Sequence, residues 1–99
     1  MVYRIEYARN TVSHLRALTA RDRALVLNAV RVQLLHEPTT VTRNRKRMSP
    51  NPIAPWELRI GHLRVYYQVQ ESPESVVQVL AVGIKRRNEV WIEHKAVPL

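Results

Sequence analysis

The sequence predicts an α+β domain in the order β-α-α-β-β-β, an antiparallel sheet with an N-terminal helical hairpin packed on one face. Three observations predict it. Residues 56–67 (Trp-Glu-Leu-Arg-Ile-Gly-His-Leu-Arg-Val-Tyr-Tyr) alternate apolar and polar positions on both sides of Gly61-His62. Period-two alternation across a short Gly-containing turn is the signature of a β-hairpin. Residues 76–84 are apolar at nearly every position, as in a central strand buried on both faces. Between an alternating N-terminus and that hairpin, residues 8–36 change to a three-and-four spacing, which is helical.

In chain order, residues 2–7 place Tyr3, Ile5 and Tyr7 on one face and Val2, Arg4 and Glu6 on the other, a strand with one buried side. Val12, Leu15 and Leu18 then form a helical stripe opposite Arg9, Ser13 and Arg16, so 8–17 reads as a short helix. Thr19 followed by Asp22 approximates a capping box. It opens a second helix over 20–36 whose apolar set is Ala24, Leu25, Leu27, Val30, Leu34 and Leu35. Val26, Ala29 and Val32 widen that stripe, predicting a helix covered on more than one side, and Pro38 ends it.

Residues 38–55 hold four of the six prolines and no period, which predicts an extended, exposed loop. Strands 56–60, 62–70 and 76–84 then follow as a meander, with Glu71–Ser75 as a turn and strand 2–7 paired at one side. The tail carries Val90, Trp91 and Ile92, enough to dock a short helix or an extended arm. Two helices cover one sheet face. The other is left to cations.

The 99 residues make one domain, 1–99, large enough to bury a core without a staple. The absence of cysteine removes disulfides and Cys-based zinc sites and favours a cytoplasmic setting. No apolar run approaches the roughly 18 residues of a membrane span. The N-terminal run is strand-like and charged, unlike a secretory signal.

Sixteen Lys and Arg against eight acids give a net charge of +8, and the pI is near 10.9. The cations cluster at 43–47, 59–64 and 85–87. Closely spaced cations build the local potential that attracts polyanions, so nucleic acid, a ribonucleoprotein or an acidic protein is the expected partner class.

Catalytic constellations are sparse. His14, His36, His62 and His94 lack the short spacing of metal ligands, and His14 and His36 read as solvated helix residues. No metal or other cofactor is expected. The serines lack a nucleophile elbow, and Glu57 has no acidic neighbour for a carboxylate pair. What remains is a basic face with aromatic neighbours. Arg59 and Arg64, on adjacent hairpin strands, suit bidentate contacts to one phosphate, with Lys85 assisting as acid or charge stabiliser. Arg43, Arg45, Lys46, Arg47, Arg86 and Arg87 form an expected RNA-binding rim. Tyr66, Trp91 and His62 are candidates for stacking on bases, against the alternative of ordinary packing. For an RNA substrate the 2′-hydroxyl is a built-in nucleophile, and cations then stabilise the charge that develops on phosphorus. Glu57 is either a general base or the ion-pair partner of Arg59.

The element order, Trp56-x-Leu58-Arg59-Ile60-Gly61, Leu63-Arg64-Val65-Tyr66-Tyr67, and Val82-Gly83 leading through Lys85-Arg86-Arg87-Asn88 to Glu89-Val90-Trp91 together resemble the RelE/ParE toxin superfamily of type II toxin–antitoxin systems. The resemblance spans essentially the whole chain. It implies a compact antiparallel sheet with a helical hairpin, and a cognate antitoxin as partner. RelE-like members are ribosome-dependent endoribonucleases that cut mRNA and stop translation; ParE-like members inhibit DNA gyrase on the same fold. By the same resemblance Arg64 matches the cleavage-linked arginine of the second hairpin strand, Arg59 a basic residue of the first, and Lys85 an arginine after Val-Gly. Glu57 stands where the best-studied type has a lysine, and Trp91 where it has a catalytic tyrosine. The resemblance thus implies a RelE-like mRNA endoribonuclease, a gyrase inhibitor, or a member that only binds antitoxin or nucleic acid.

Overall fold

The computed structural model describes residues 2–98. It contains β1 (Arg4–Tyr7), α1 (Thr11–Arg16), α2 (Ala20–Leu34), β2 (Arg45–Arg47), β3 (Trp56–Ile60), β4 (Leu63–Gln70), β5 (Val76–Arg86), β6 (Glu89–Ile92) and β7 (Lys95–Val97). The strands form one sheet in the order β2-β3-β4-β5-β6-β7, and β1 pairs with β5. The expected β3-β4-β5 meander is its centre. β4 runs antiparallel along β5 from Leu63↔Ile84 to Gln70↔Val76. The opposite edge of β5 is divided: β1 pairs in parallel with 76–79, and β6 antiparallel with 84–86.

Two stretches differ from the sequence expectation. The loop predicted over 38–55 contains β2, because Arg45, Lys46 and Arg47 pair with Leu58, Glu57 and Trp56. The tail is neither a helix nor a loose arm. It folds as the β6–β7 hairpin, with Ile92 opposite Lys95 across a turn made by Glu93 and His94.

The main core lies between the sheet and the helices. From the sheet it takes Trp56, Leu58, Leu63, Val65, Tyr67, Val77, Val79 and Val82. α2 contributes Val26, Val30 and Leu34, spaced four apart so that they face one way. Burying each of these side chains contributes about 1.5–3 kcal/mol. Thr19 caps the helix, accepting from the Asp22 N–H at 3.1 Å, as its sequence promised. The buried face is shifted from the expected stripe: Val26 and Ala29 of the widening set meet the core, whereas Leu25 and Leu27 of the main set stay exposed, as does Val32 at 65%.

α1 is rotated relative to its expected stripe. Val12 is half exposed, while Thr11 and His14 are buried beside Leu18. Thr11 Oγ1 donates to the Ala8 carbonyl at 2.6 Å, which turns the helix start inward. His14 then fills the gap between β1 and β6, where β5 has no strand neighbour. Its Nδ1 accepts the Val82 N–H at 3.3 Å, a donor that would otherwise be buried without a partner. The solvated reading of His14 is therefore corrected. Burial lowers its pKa, partly opposed by the charge of Glu93.

The sheet face opposite the helices is not left to cations alone. Ala54, Tyr66, Ala81, Val90 and Ile92 form a second apolar cluster, flanked by Met48, Ile53, Leu80 and Val97. A bulge lets β5 serve both faces: Tyr66 pairs with Ala81 and Tyr67 with Val79, leaving Leu80 as the extra residue. The Pro-rich segment 48–55 folds back over this cluster instead of extending into solvent. Asn51 organises it, donating to the Ser49 and Ala54 carbonyls and accepting from the Ile53 and Ala54 N–H groups.

Gly83 is required by close approach. A Cβ there would lie 2.7 Å from the Trp91 carbonyl oxygen and 2.9 Å from Ile92 Cγ1. Gly83→Ala is expected to cost about 1–3 kcal/mol by forcing β6 away from β5, measurable by urea denaturation. His14 generates a second expectation. Its folded-state pKa lies below the ordinary 6.5, so its contribution is complete above that pH and is lost as pH falls through the folded value. The thermal midpoint should drop more steeply on acidification in the native protein than in His14→Gln.

Candidate nucleic-acid interface

Period two decides which cations share a surface. On β3 the residues facing away from the helices are Glu57 and Arg59; on β4 they are Arg64 and Tyr66. Register places Lys46 beside Glu57, Glu57 beside Tyr66, and Arg59 beside Arg64. On β5, Lys85 follows Ala81 and Gly83 on that same face.

Four of these residues, Lys46, Glu57, Arg59 and Lys85, border an open cleft of about 450 Å³. Lys46, Glu57, Arg59, Lys85 and Asn88 line it, and the 47–51 segment forms its far wall. Lys46, Arg59 and Lys85 therefore meet although the sequence separates them by up to 39 positions.

At the floor sits a buried ionic group. Glu57 is only 7% exposed and accepts from Arg59 Nε at 2.7 Å. Its other oxygen lies 4.0 Å from Arg64 Nε. Arg64 is itself 8% exposed, and its Nη1 donates to the carbonyls of Gly61 and Leu63 at 2.7 and 2.9 Å. Arg64 thus braces the hairpin turn from within and does not line the cleft. Arg59 is the exposed member of the group, its side chain 41% accessible.

Tyr66 is fully buried behind Glu57. Among the described residues, its hydroxyl is the buried side-chain polar atom without a hydrogen-bond partner. It is near enough to feel the Glu57 carboxylate yet outside hydrogen-bond geometry. Burial first, and then Glu57, push the phenol well above its ordinary range, with Arg64 and Arg59 opposing. Tyr66 is a neutral packed ring and offers no face to a stacking base.

The remaining candidates are dispersed. Arg45 turns to the helix side and donates to the Gln33 carbonyl at 2.6 Å and the Thr40 carbonyl at 3.0 Å, binding the end of α2 to the sheet edge. Arg47 lies over the Trp56 ring at 5.6 Å, a cation–π contact at the cleft margin. His62 Nε2 is 3.2 Å from Asp22 at the hairpin tip, against α2. Arg43 is exposed in the segment before β2, and Arg87 is exposed at the β5–β6 turn with a φ of 59°. Arg86 and Trp91 face α1, on the opposite side of the sheet from Lys85. Sequence clustering joined Lys85 to Arg86; strand parity separates them.

Asn88, Ser49 and Asn51 line the cleft and were missed by sequence reasoning. Their signal was weak, since only the folding back of 48–55 brings Ser49 and Asn51 to the cationic face. Chemically, four cations around an open cleft, Lys46, Arg47, Arg59 and Lys85, suit a phosphate backbone, and Glu57 keeps Arg59 oriented.

Comparison with known proteins gives a fold relationship. A chain of the toxin–antitoxin complex RelBE2 from Mycobacterium tuberculosis superposes with a TM-score of 0.73 at 21% sequence identity, covering 86% of this chain and all of the other. The chain therefore has the RelE-like fold. No family model matches the sequence, and no curated protein matches it. No helix among the described residues is long and apolar enough to cross a membrane.

Removing the cleft's one buried negative charge should strengthen its hold on polyanions. Glu57→Gln is expected to raise affinity for a short single-stranded RNA by about three- to tenfold at low salt, with a steeper salt dependence. It should also destabilise the fold by about 1–3 kcal/mol, because Arg64 loses its buried counter-charge. Fluorescence anisotropy across a salt series and urea denaturation measure the two effects.

Proposed function

We propose that this protein is the toxin of a type II toxin–antitoxin system, acting in the cytoplasm as a metal-independent endoribonuclease on mRNA in the translating ribosome. The convergence of Lys46, Arg59 and Lys85 on one open cleft of a RelE-like fold carries this reading. In the proposed reaction the RNA 2′-hydroxyl gives its proton to solvent water and attacks the adjacent phosphorus, forming a 2′,3′-cyclic phosphate as the bond to the 5′-oxygen of the next nucleotide breaks. Negative charge grows on the phosphoryl oxygens along that path. Arg59, aligned by Glu57, meets it with a fixed fork of donors, and Lys85 and Lys46 add mobile ammonium groups. In this reading Lys85 protonates the leaving oxygen.

Arg64 acts differently in this account from what the resemblance implies. It is a positioning residue, holding the Gly61 turn and sharing Glu57 with Arg59. The antitoxin is the proposed protein partner. The RelBE2 comparison supports this reading through the fold, and the +8 chain suits an acidic companion.

Cell-free translation followed by primer extension on the messenger tests the proposal. Cuts within ribosome-bound mRNA are expected, with Arg59→Ala reducing their rate by about 10²-fold or more, the scale of losing one transition-state donor. Intact messenger with inhibited DNA supercoiling would replace this reading with gyrase inhibition. Intact messenger, unaffected supercoiling and retained antitoxin binding would reduce the protein to a binding module.

A further inference from the structure

A second cavity lies on the far side of the sheet, away from the cationic cleft. It is about 150 Å³ and opens between α1, the end of β5 and the β6–β7 hairpin. Its polar lining is His14, Arg86, Trp91, Glu93 and His94, with Leu18 and Ile84 among its apolar wall.

Three features set this cavity apart from a packing defect. First, Glu93 and His94 form the β6–β7 turn with φ of 51° and 66°. Two consecutive left-handed residues are the province of Asn-Gly, and a non-glycine residue there is conformationally strained. The chain places a carboxylate and an imidazole at these positions, and both line the cavity. Second, Arg86 and Glu93 share the cavity walls without meeting. Among the described residues the two side chains form no salt bridge with each other; the Glu93 carboxylate acts instead on His14, and Arg86 is left facing solvent at the cavity rim. Third, the His14 ring is fixed, because Nδ1 accepts from the Val82 N–H. Its proton therefore sits on Nε2 as a donor. Among the described residues no three His, Cys, Asp or Glu side chains cluster closely enough to hold a metal ion.

We propose that this cavity is a guanine-binding site. Its size suits a planar ring system with one edge in solvent. Trp91, half-buried in the wall, provides the stacking surface. Guanine presents adjacent acceptors, O6 and N7, on one edge and adjacent donors, N1–H and the N2 amino group, on another. Arg86 matches the first pair bidentately. The Glu93 carboxylate matches the second. Adenine offers an acceptor at N1 where Glu93 needs a donor, so it leaves the carboxylate unpaired, the most effective form of discrimination a small site has. The base comes either from a single-stranded RNA or from a free guanosine nucleotide. The assignment is independent of RNA cleavage, since the cleft residues lie on the other sheet face.

The test is titration of the intact protein with the four nucleosides, which lack the phosphate that would engage Arg59. Binding is followed by NMR of the Trp91 indole N–H and the His14 and His94 ring signals. Guanosine is expected to shift all three and to bind at least tenfold more tightly than adenosine, cytidine or uridine. Glu93→Gln, an exposed turn substitution, should remove that preference, and Arg59→Ala should leave it unchanged. Tighter binding of an ApGpA trinucleotide than of GTP identifies RNA as the source of the base, and the reverse order identifies a free nucleotide. The proposal is overturned if no nucleoside moves the three signals, if all four bind alike, or if guanosine shifts only the signals of the Arg59 cleft.

Discussion

Two arginines stand directly opposite each other across the β3–β4 ladder, Arg59 and Arg64, and Glu57 lies between them, offsetting one of their two charges. Like charges at opposed positions destabilise a sheet, more so when one of them is buried. Glu57 lowers that penalty by sharing its two oxygens, one with each guanidinium. Arg64 satisfies further donors on the carbonyls of the turn itself. The direction of Arg59 into the cleft depends on this one carboxylate, and the guanidinium that braces the Gly61 turn lies beside it. On a cationic face Glu57 looks like a defect. In the folded protein it holds Arg59 in place.

The second constraint is that β5 must be covered on both faces and on an edge that two short strands leave incomplete. α2 and the helix-side core cover one face. The 48–55 segment, with Tyr66, Val90 and Ile92, covers the other. His14 completes the edge. The cationic cleft is what remains of the second face once this apolar cluster has taken its share. Its far wall is made by the segment that covers the cluster, so packing and binding surface are built by the same residues.

The sheet and helix order was legible because alternation and three-and-four spacing are local properties, and the hairpin at 56–67 and the strand at 76–84 are strongly patterned. β2 was not legible. A three-residue edge strand of Arg-Lys-Arg has no apolar alternation, and its pairing is set by β3. The α1 stripe was misread because a threonine and a histidine occupy buried positions, a choice made by the gap in the sheet and invisible in hydropathy. Of the candidate site, Arg59, Lys85 and Lys46 could be named from the charge clusters. Their convergence depends on strand parity and on the return of 48–55. Parity alone would have separated Lys85 from Arg86 and Lys46 from Arg45, since neighbours in a strand face opposite ways.

The central claim is that RNA lies in the cleft floored by Glu57 and Arg59. Titration of the protein with a 2′-O-methyl oligonucleotide, which binds but cannot supply the nucleophile, tests it through backbone amide shifts. The account predicts shifts concentrated at 46–49, 57–59 and 85–88, abolished by Arg59→Ala with the fold intact. An unshifted cleft, with the changes confined to the exposed face of α2, would contradict it.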